Sequence, residues 1–265
     1  MKARFCVLKN RDQFLRFLVR HNLLFLLASK VSKKKPSFAL NKFDFLVTEI
    51  FSQKVHEKYY VEIGANDGVS QSNTKYLELY ESWRGLLIEP IPELFVKLKK
   101  NRSKKNHFEN LACVSFEYPH KEINMTYSNL MSISHDGESD IADPREHARR
   151  GMEHMDAQEA TYELTVPALP MTVLLDRANA PKNISLLSLD VEGSEIEVLK
   201  GIDFNRYTFH IMLIESRNVI KIKTFLENKN YVFISKVSHH DYLFRHSNFF
   251  FKKDKTILKK YLNSI

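Results

Sequence analysis

Four acidic residues each fall at the end of a short apolar run: Glu62 in "YYVEIG", Glu89 in "GLLIE", Asp190 in "LLSLD" and Glu215 in "IMLIE". In an open α/β sheet the carboxyl ends of the strands face the ligand crevice, so acids placed there are set up for chemistry rather than for solvation. Between the first two lies the turn Gly64-Ala65-Asn66-Asp67-Gly68. A dinucleotide fingerprint needs a second glycine where Asn66 stands, so that the backbone can approach a pyrophosphate, and Asp67 would put a negative charge beside that diphosphate. A Walker loop is absent as well, since no Gly-Lys-Ser/Thr follows.

A nucleoside without phosphates, carrying an amino group and a sulfonium, suits the same acids, and S-adenosylmethionine is that molecule. Glu62 would orient its methionine amino end, while Gly64 and Gly68 keep the turn tight. Glu89, about 25 residues beyond Gly64, stands near the spacing at which an acid takes ribose hydroxyls. Asp190, Glu192 and Glu215 should converge at the same edge of the sheet. Converging carboxylates serve as a general base on a hydroxyl, as oxygen ligands for a hard cation such as Mg²⁺ held by Asp190 and Glu215, or as acceptors for sugar hydroxyls. His239, at a hairpin tip, is a further candidate base, against the plainer reading of His239 and His240 as exposed turn residues. His135, His147 and His154 lack zinc-site spacing.

The elements that must position these residues alternate between apolar runs and helical patterns, which predicts a doubly wound α/β sheet. Strands are expected at Tyr59–Ile63, Gly85–Ile88, Glu109–Val114, Ile184–Leu189 and His210–Ile214, closed by an antiparallel hairpin of "YVFISKV" and "DYLFRHS". Helices are expected to open near Ser72 or Asn73, after "EPIPE", at Ser194 with a capping-box spacing to Glu197, and at Val219. The polar stretch 134–163 breaks the alternation and reads as a lid-like insertion, with Asp143, Pro144 and Glu146 as N-cap, N1 and N3 of a surface helix. A domain over 51–250 would then lie between a basic N-terminal helical extension (1–50) and a basic tail (251–265).

The formal charge is +8, and the excess sits in these termini. That bias attracts anionic surfaces, and an amphipathic helix over 11–30 is expected to pack on the body or to make peripheral contact with a membrane surface. Cys6 and Cys113 are too few for a disulfide framework, which fits a reducing, cytoplasmic setting.

"VEIGANDGVSQSNTKYLELYESWRGLLIEPIPELFVKLKKNR", "LLSLDVEGSEIEVLKGIDF" and "IMLIES", together with "YSNLMS" and "VPALPMTVLL", resemble the FkbM family of S-adenosylmethionine-dependent methyltransferases over about residues 57–245. The resemblance implies a seven-stranded, Rossmann-like class I methyltransferase fold and O-methylation of hydroxyls on sugars, glycans or related natural products. It implies cofactor contacts from Glu62, Gly64, Asn66, Gly68, Asn73 and Glu89, extended here to Ala65, Asp67, Ser72, Pro90, Ala112 and Asp190, with Asp190 and Glu192 at the site of methyl transfer. The termini and the polar insertion depart from the family core, so acceptor choice does not carry over. A non-catalytic nucleotide-binding scaffold would have a damaged turn, and this one is intact. An RNA methyltransferase using the basic termini would carry an Asn/Asp-Pro-Pro-Tyr/Phe motif, which is missing, so no nucleic-acid partner is expected.

Overall fold

The computed structural model describes residues 35–52, 57–141, 143–151, 160–250 and 254–263. The helix expected at 11–30 lies outside them. In chain order the described strands are β1 Tyr59–Ile63, β2 Arg84–Ile88, β3 His107–Glu109, β4 Ala112–Val114, β5 Glu122–Tyr127, β6 Ile133–Ser134, β7 Tyr162–Pro170, β8 Asn183–Leu189, β9 Thr208–Glu215, β10 Tyr231–Lys236 and β11 Asp241–His246. Strand β1 is buried at all five positions. Such a run has no polar face to offer water, so it belongs at the centre of a parallel sheet with helices on both sides. There it pairs in parallel with β2 on one flank and β8 on the other.

The large sheet has the order β10-β11-β9-β8-β1-β2-β3. Its strands are parallel except β11, which pairs antiparallel with both β9 and β10. Numbered within the sheet the order is 3-2-1-4-5-7-6, the seven-stranded doubly wound arrangement of class I methyltransferases. The order reverses between β1 and β8, and a crevice opens at such a switch point.

Successive side chains of each strand feed opposite cores. Val61, Ile63, Leu86, Ile88, Leu187 and Leu189 pack on one face with Met171, Leu174 and Leu199. Tyr60, Leu87, Leu186 and Leu213 pack on the other with Trp83, Leu77 and Leu98. Each such buried aliphatic contributes about 1.5–3 kcal/mol. The second core also takes in Phe43, Leu46 and Ile50 of the helix Phe43–Ile50, and Ile257 and Tyr261 of the helix Asp254–Leu262. The expected divisions after residue 50 and before 251 therefore do not separate the packing: both segments carry apolar faces that close over the sheet.

Two further differences come from tertiary pairing. The single strand expected over Glu109–Val114 divides at residues 110–111, where Asn110 turns its amide to the Glu89 and Pro90 carbonyls. Its first part edges the large sheet as β3, and its second joins a separate four-stranded sheet of order β4-β7-β5-β6. That small sheet also uses β6 and the start of β7, so the polar stretch expected over 134–163 begins and ends in strands, at Ser134 and at Tyr162 and Glu163. The helix Pro144–Gly151 begins as expected, with Asp143 Oδ1 accepting from Glu146 N at 3.0 Å.

Candidate functional site

At the end of β1 the chain must turn within reach of β8. Gly64 has φ +81°, and a Cβ there would lie 1.9 Å from the Asp190 carbonyl oxygen, so only glycine lets the two strand ends meet. The turn then folds on its own side chains. Asn66 Oδ1 accepts from Asp67 N, and Asp67 Oδ1 accepts from Val69 N and Ser70 N. Asp67 is thereby spent inside the turn. Neither it nor Gly68, which lies against Leu98 and Arg102, lines the cavity beside the turn, unlike the cofactor contacts expected for both. Gly64, Ala65, Asn66, Ser72 and Asn73 do line it.

Glu62 also faces the cavity, but its carboxylate is heavily engaged. It accepts from Ser72 Oγ, Asn73 N, Thr74 Oγ1 and Arg102 Nη1, at 2.6–3.2 Å. Its geometry holds the helix entrance rather than offering a free acid to an amine. Ser72 Oγ accepts in turn from Lys75 N at 3.1 Å, at the opening of the helix Lys75–Glu81.

Arg102, fully buried, ties this together: Nη1 also reaches the Gly68 carbonyl, Nη2 reaches Tyr60 and Thr74, and Nε pairs with Glu78 at 2.9 Å. Burial alone would raise Glu78, yet the Arg102 and Lys75 cations override it and hold the carboxyl at about 2. The sequence reading missed Arg102 because it lies at the far end of the next helix, in the "NRSKKN" stretch where it reads as one solvated cation among several.

Glu89 closes β2. Its carboxylate accepts from Asn66 N at 2.8 Å and Ile91 N at 2.9 Å, and burial pushes it up to about 7 despite both bonds. With Pro90, Leu111 and Ala112 it forms one end of a cavity of about 440 Å³. That volume is within the range of cofactor sites. The donor set fits S-adenosylmethionine: an acid at the second strand for a diol, backbone polar groups and the Asn73 amide at the turn, and an apolar wall of Ile88, Leu111 and Ala112 for a base.

At the other end, Asp190, Glu192 and Glu215 come together on the cavity wall, as their strand positions dictate. Asp190 is exposed on its cavity side, and the protein packed around the rest of it strips away part of its water. That desolvation, with Glu215, Glu192 and Glu195 nearby, raises it well above the ordinary carboxylate range. Burial also lifts Glu215 to about 7, with Glu192 and Asp241 adding to the effect and a hydrogen bond from Asp190 opposing it. Ionising either of two such carboxyls raises the cost of ionising the other.

Glu192 sits at φ 53°, a left-handed conformation that non-glycine residues seldom adopt. Its carboxylate faces His147 Nε2 at 2.9 Å, an ion-pair distance at which the ring N–H does not point squarely at the oxygen. His147 is buried and comes from the polar stretch, which is pinned across the crevice: Asp140 Oδ2 accepts from Ser216 Oγ, Arg217 N and Asn218 N. His239 goes elsewhere. The hairpin tip reaches the carboxyl edge, where Ser216 N donates to the His240 carbonyl, but the His239 ring is exposed, lies 2.9 Å from His240 Nε2 and does not line the cavity. The Ser238–Asp241 bond that tightens the tip turns it outward.

Glu195 was also missed. It accepts from Val191 N and Gly193 N, shaping the loop after β8, and burial raises it to about 8. The capping box expected from Ser194 to Glu197 does not form, because Ser194 Oγ bonds Ser134 of the small sheet instead. Among the described residues no group of three or more His, Cys, Asp or Glu is arranged to hold a metal ion. No described helix is long and apolar enough to cross a membrane.

Compared with known proteins, the chain matches the Methyltransferase FkbM domain over residues 62–243. Among solved structures it is similar to the precorrin-6y C5,15-methyltransferase from Geobacter metallireducens GS-15, at 12% identity and a TM-score of 0.36, covering 76% of this chain and 84% of that one. No curated protein sequence matches it.

Proposed function

The chain belongs to the FkbM family of methyltransferases and depends on S-adenosylmethionine, and we propose that it methylates a hydroxyl oxygen of a sugar, a glycan or a related natural product. The observation that carries this reading is the convergence of Asp190 and Glu215 on one cavity wall, where burial and mutual repulsion raise both carboxyls, Glu215 to about 7. A base poised near neutrality is what a hydroxyl nucleophile needs, since it must lose its proton as it forms the new bond.

When bound, the cofactor supplies an electrophilic methyl on a sulfonium, whose departure as a neutral thioether needs no acid. The protein's share is orientation and proton acceptance. Glu89 would hold the ribose hydroxyls, the 64–66 backbone and Asn73 the methionine end, and Arg102 keeps that turn in place through Glu62 and Ser72. Fixing two reactants in line supplies several kcal/mol of the barrier reduction, about 7–11 kcal/mol in the best intramolecular cases. The acceptor oxygen then forms the C–O bond while its proton passes to the carboxyl pair. Were a Mg²⁺ required, Asp190 and Glu215 would hold it, and it would supply Lewis-acid polarisation of the hydroxyl.

Calorimetry with S-adenosylmethionine and NAD, followed by transfer of a labelled methyl to sugar acceptors, tests the reading. Binding of the former alone, and an alkali-stable methyl ether as product, are expected. A methyl ester, a methylated amine or no cofactor binding would sink it. Dialysis against a chelator distinguishes the base from the cation: activity retained favours the base.

A further inference from the structure

Glu197 is 8% exposed and, among the described residues, no hydrogen bond satisfies its carboxylate, since the capping box that would have engaged it is not formed. Its oxygens open onto the cavity instead of into the protein, within reach of a ligand group. It stands where the cavity meets a second, more open cleft, together with Asp136 and Gly137, which line both. Gly137, at φ +87°, brings the loop after β6 so close that an added Cβ would lie 3.2 Å from Glu197 Cγ.

The second cleft runs over the polar face of β5, where Glu122 and Asn124 are exposed, and along the 115–121 loop. Its charge is opposite to that of the chain. In a protein of net charge +8 it is lined by the carboxylates of Glu117, Glu122, Asp136 and Glu197 against one lysine, Lys121. Phosphate and other anions are repelled by such a wall, and a cation is drawn along it. Tyr118, stacked edge-on with His120, provides the aromatic surface on which sugar rings and ammonium groups rest.

We infer that this cleft is the acceptor site and that the acceptor is an amine-bearing polyol, an amino sugar, whose ammonium pairs with Glu197 while a hydroxyl reaches the Asp190–Glu215 pair. The inference rests on the methyltransfer reading above and narrows its substrate class.

The test uses the full chain with S-adenosylhomocysteine present, and compares binding of D-glucosamine with that of the neutral isosteres D-glucose and N-acetyl-D-glucosamine by saturation-transfer NMR titration. The expected result is at least a tenfold preference for glucosamine in the wild type, lost in Glu197→Gln, with cofactor affinity reporting that the variant is folded. Equal affinities in the wild type, no binding of any of the three, or a preference that survives in a folded Glu197→Gln would overturn it. The wild-type comparison decides even if the variant fails to fold. Failure of the sugars with cofactor binding intact removes this inference alone, whereas failure of cofactor binding removes the reading beneath it.

Discussion

The two ends of the cavity handle buried charge in opposite ways. At the β1–β2 end, Glu62 and Glu78 are neutralised by Arg102 and Lys75, and Glu89, though burial raises it to about 7, has each oxygen held by a backbone N–H. At the β8–β9 end, Asp190, Glu192, Glu195 and Glu215 gather, with the His147 ring 2.9 Å and the Arg217 guanidinium 3.9 Å from Glu192. A paired network is stiff and fixes a backbone for binding, while unneutralised carboxyls hold protons loosely near neutral pH. On the proposed reading, the first end holds a ligand and the second moves a proton.

The contrast is broken most severely at Arg102. Arg102→Met keeps the stem but strands two buried carboxylates, and should cost about 3–5 kcal/mol. Denaturant unfolding measures it, and a loss under ~1 kcal/mol would show that the network is not a fixing device. Asp190→Asn should leave cofactor affinity nearly intact and slow transfer by about a hundredfold or more, the scale of a lost general base. Unchanged turnover in a methyl-transfer assay would remove Asp190 from that role. Glu89→Ala should weaken S-adenosylmethionine by about tenfold in calorimetry, as a charged acceptor is lost.

The two ends should also part company on titration. Glu78, held near 2, contributes stability that is present above the ordinary glutamate value of 4.5 and lost as pH falls toward 2. Glu215 and Glu195, raised to about 7 and about 8, bind their protons more tightly in the folded state. Their contribution is full below 4.5 and is lost as pH rises through 7 and 8. Melting midpoints recorded from about pH 5 to 8 should therefore fall more steeply in the wild type than in Glu195→Gln, and equal slopes would reject the assignment. The smallest effect is expected at the lid's outer anchor, where Glu138 pairs with Lys221 and Lys200. Lys221→Ala should change stability by less than ~1 kcal/mol, because both partners are about a third exposed.

Much of this was legible in local patterns. The turn after β1, the acids at four strand ends and the closing hairpin all follow from period and punctuation, which short segments encode by themselves. The small sheet was not. The stretch "YELTVPALP" alternates, but its two prolines argue against a strand, and it shows itself as one only when β5 and β4 are there to pair with it. His147 was equally opaque, since a histidine in a polar helix gains meaning only from the carboxylate it meets across the crevice.

By itself, then, the sequence determined the alternation of strands and helices, the glycine turn after β1 and the placing of Asp190 and Glu215 at strand ends, because strand ends and tight turns are local properties of the chain. The tertiary structure alone decided that Arg102 guards the turn, that Asp67 is consumed within it, that His239 faces outward and that Glu197 is left without a partner. Each of those depends on which distant groups arrive within about 3 Å to satisfy or strand a charge, and no local spacing records that.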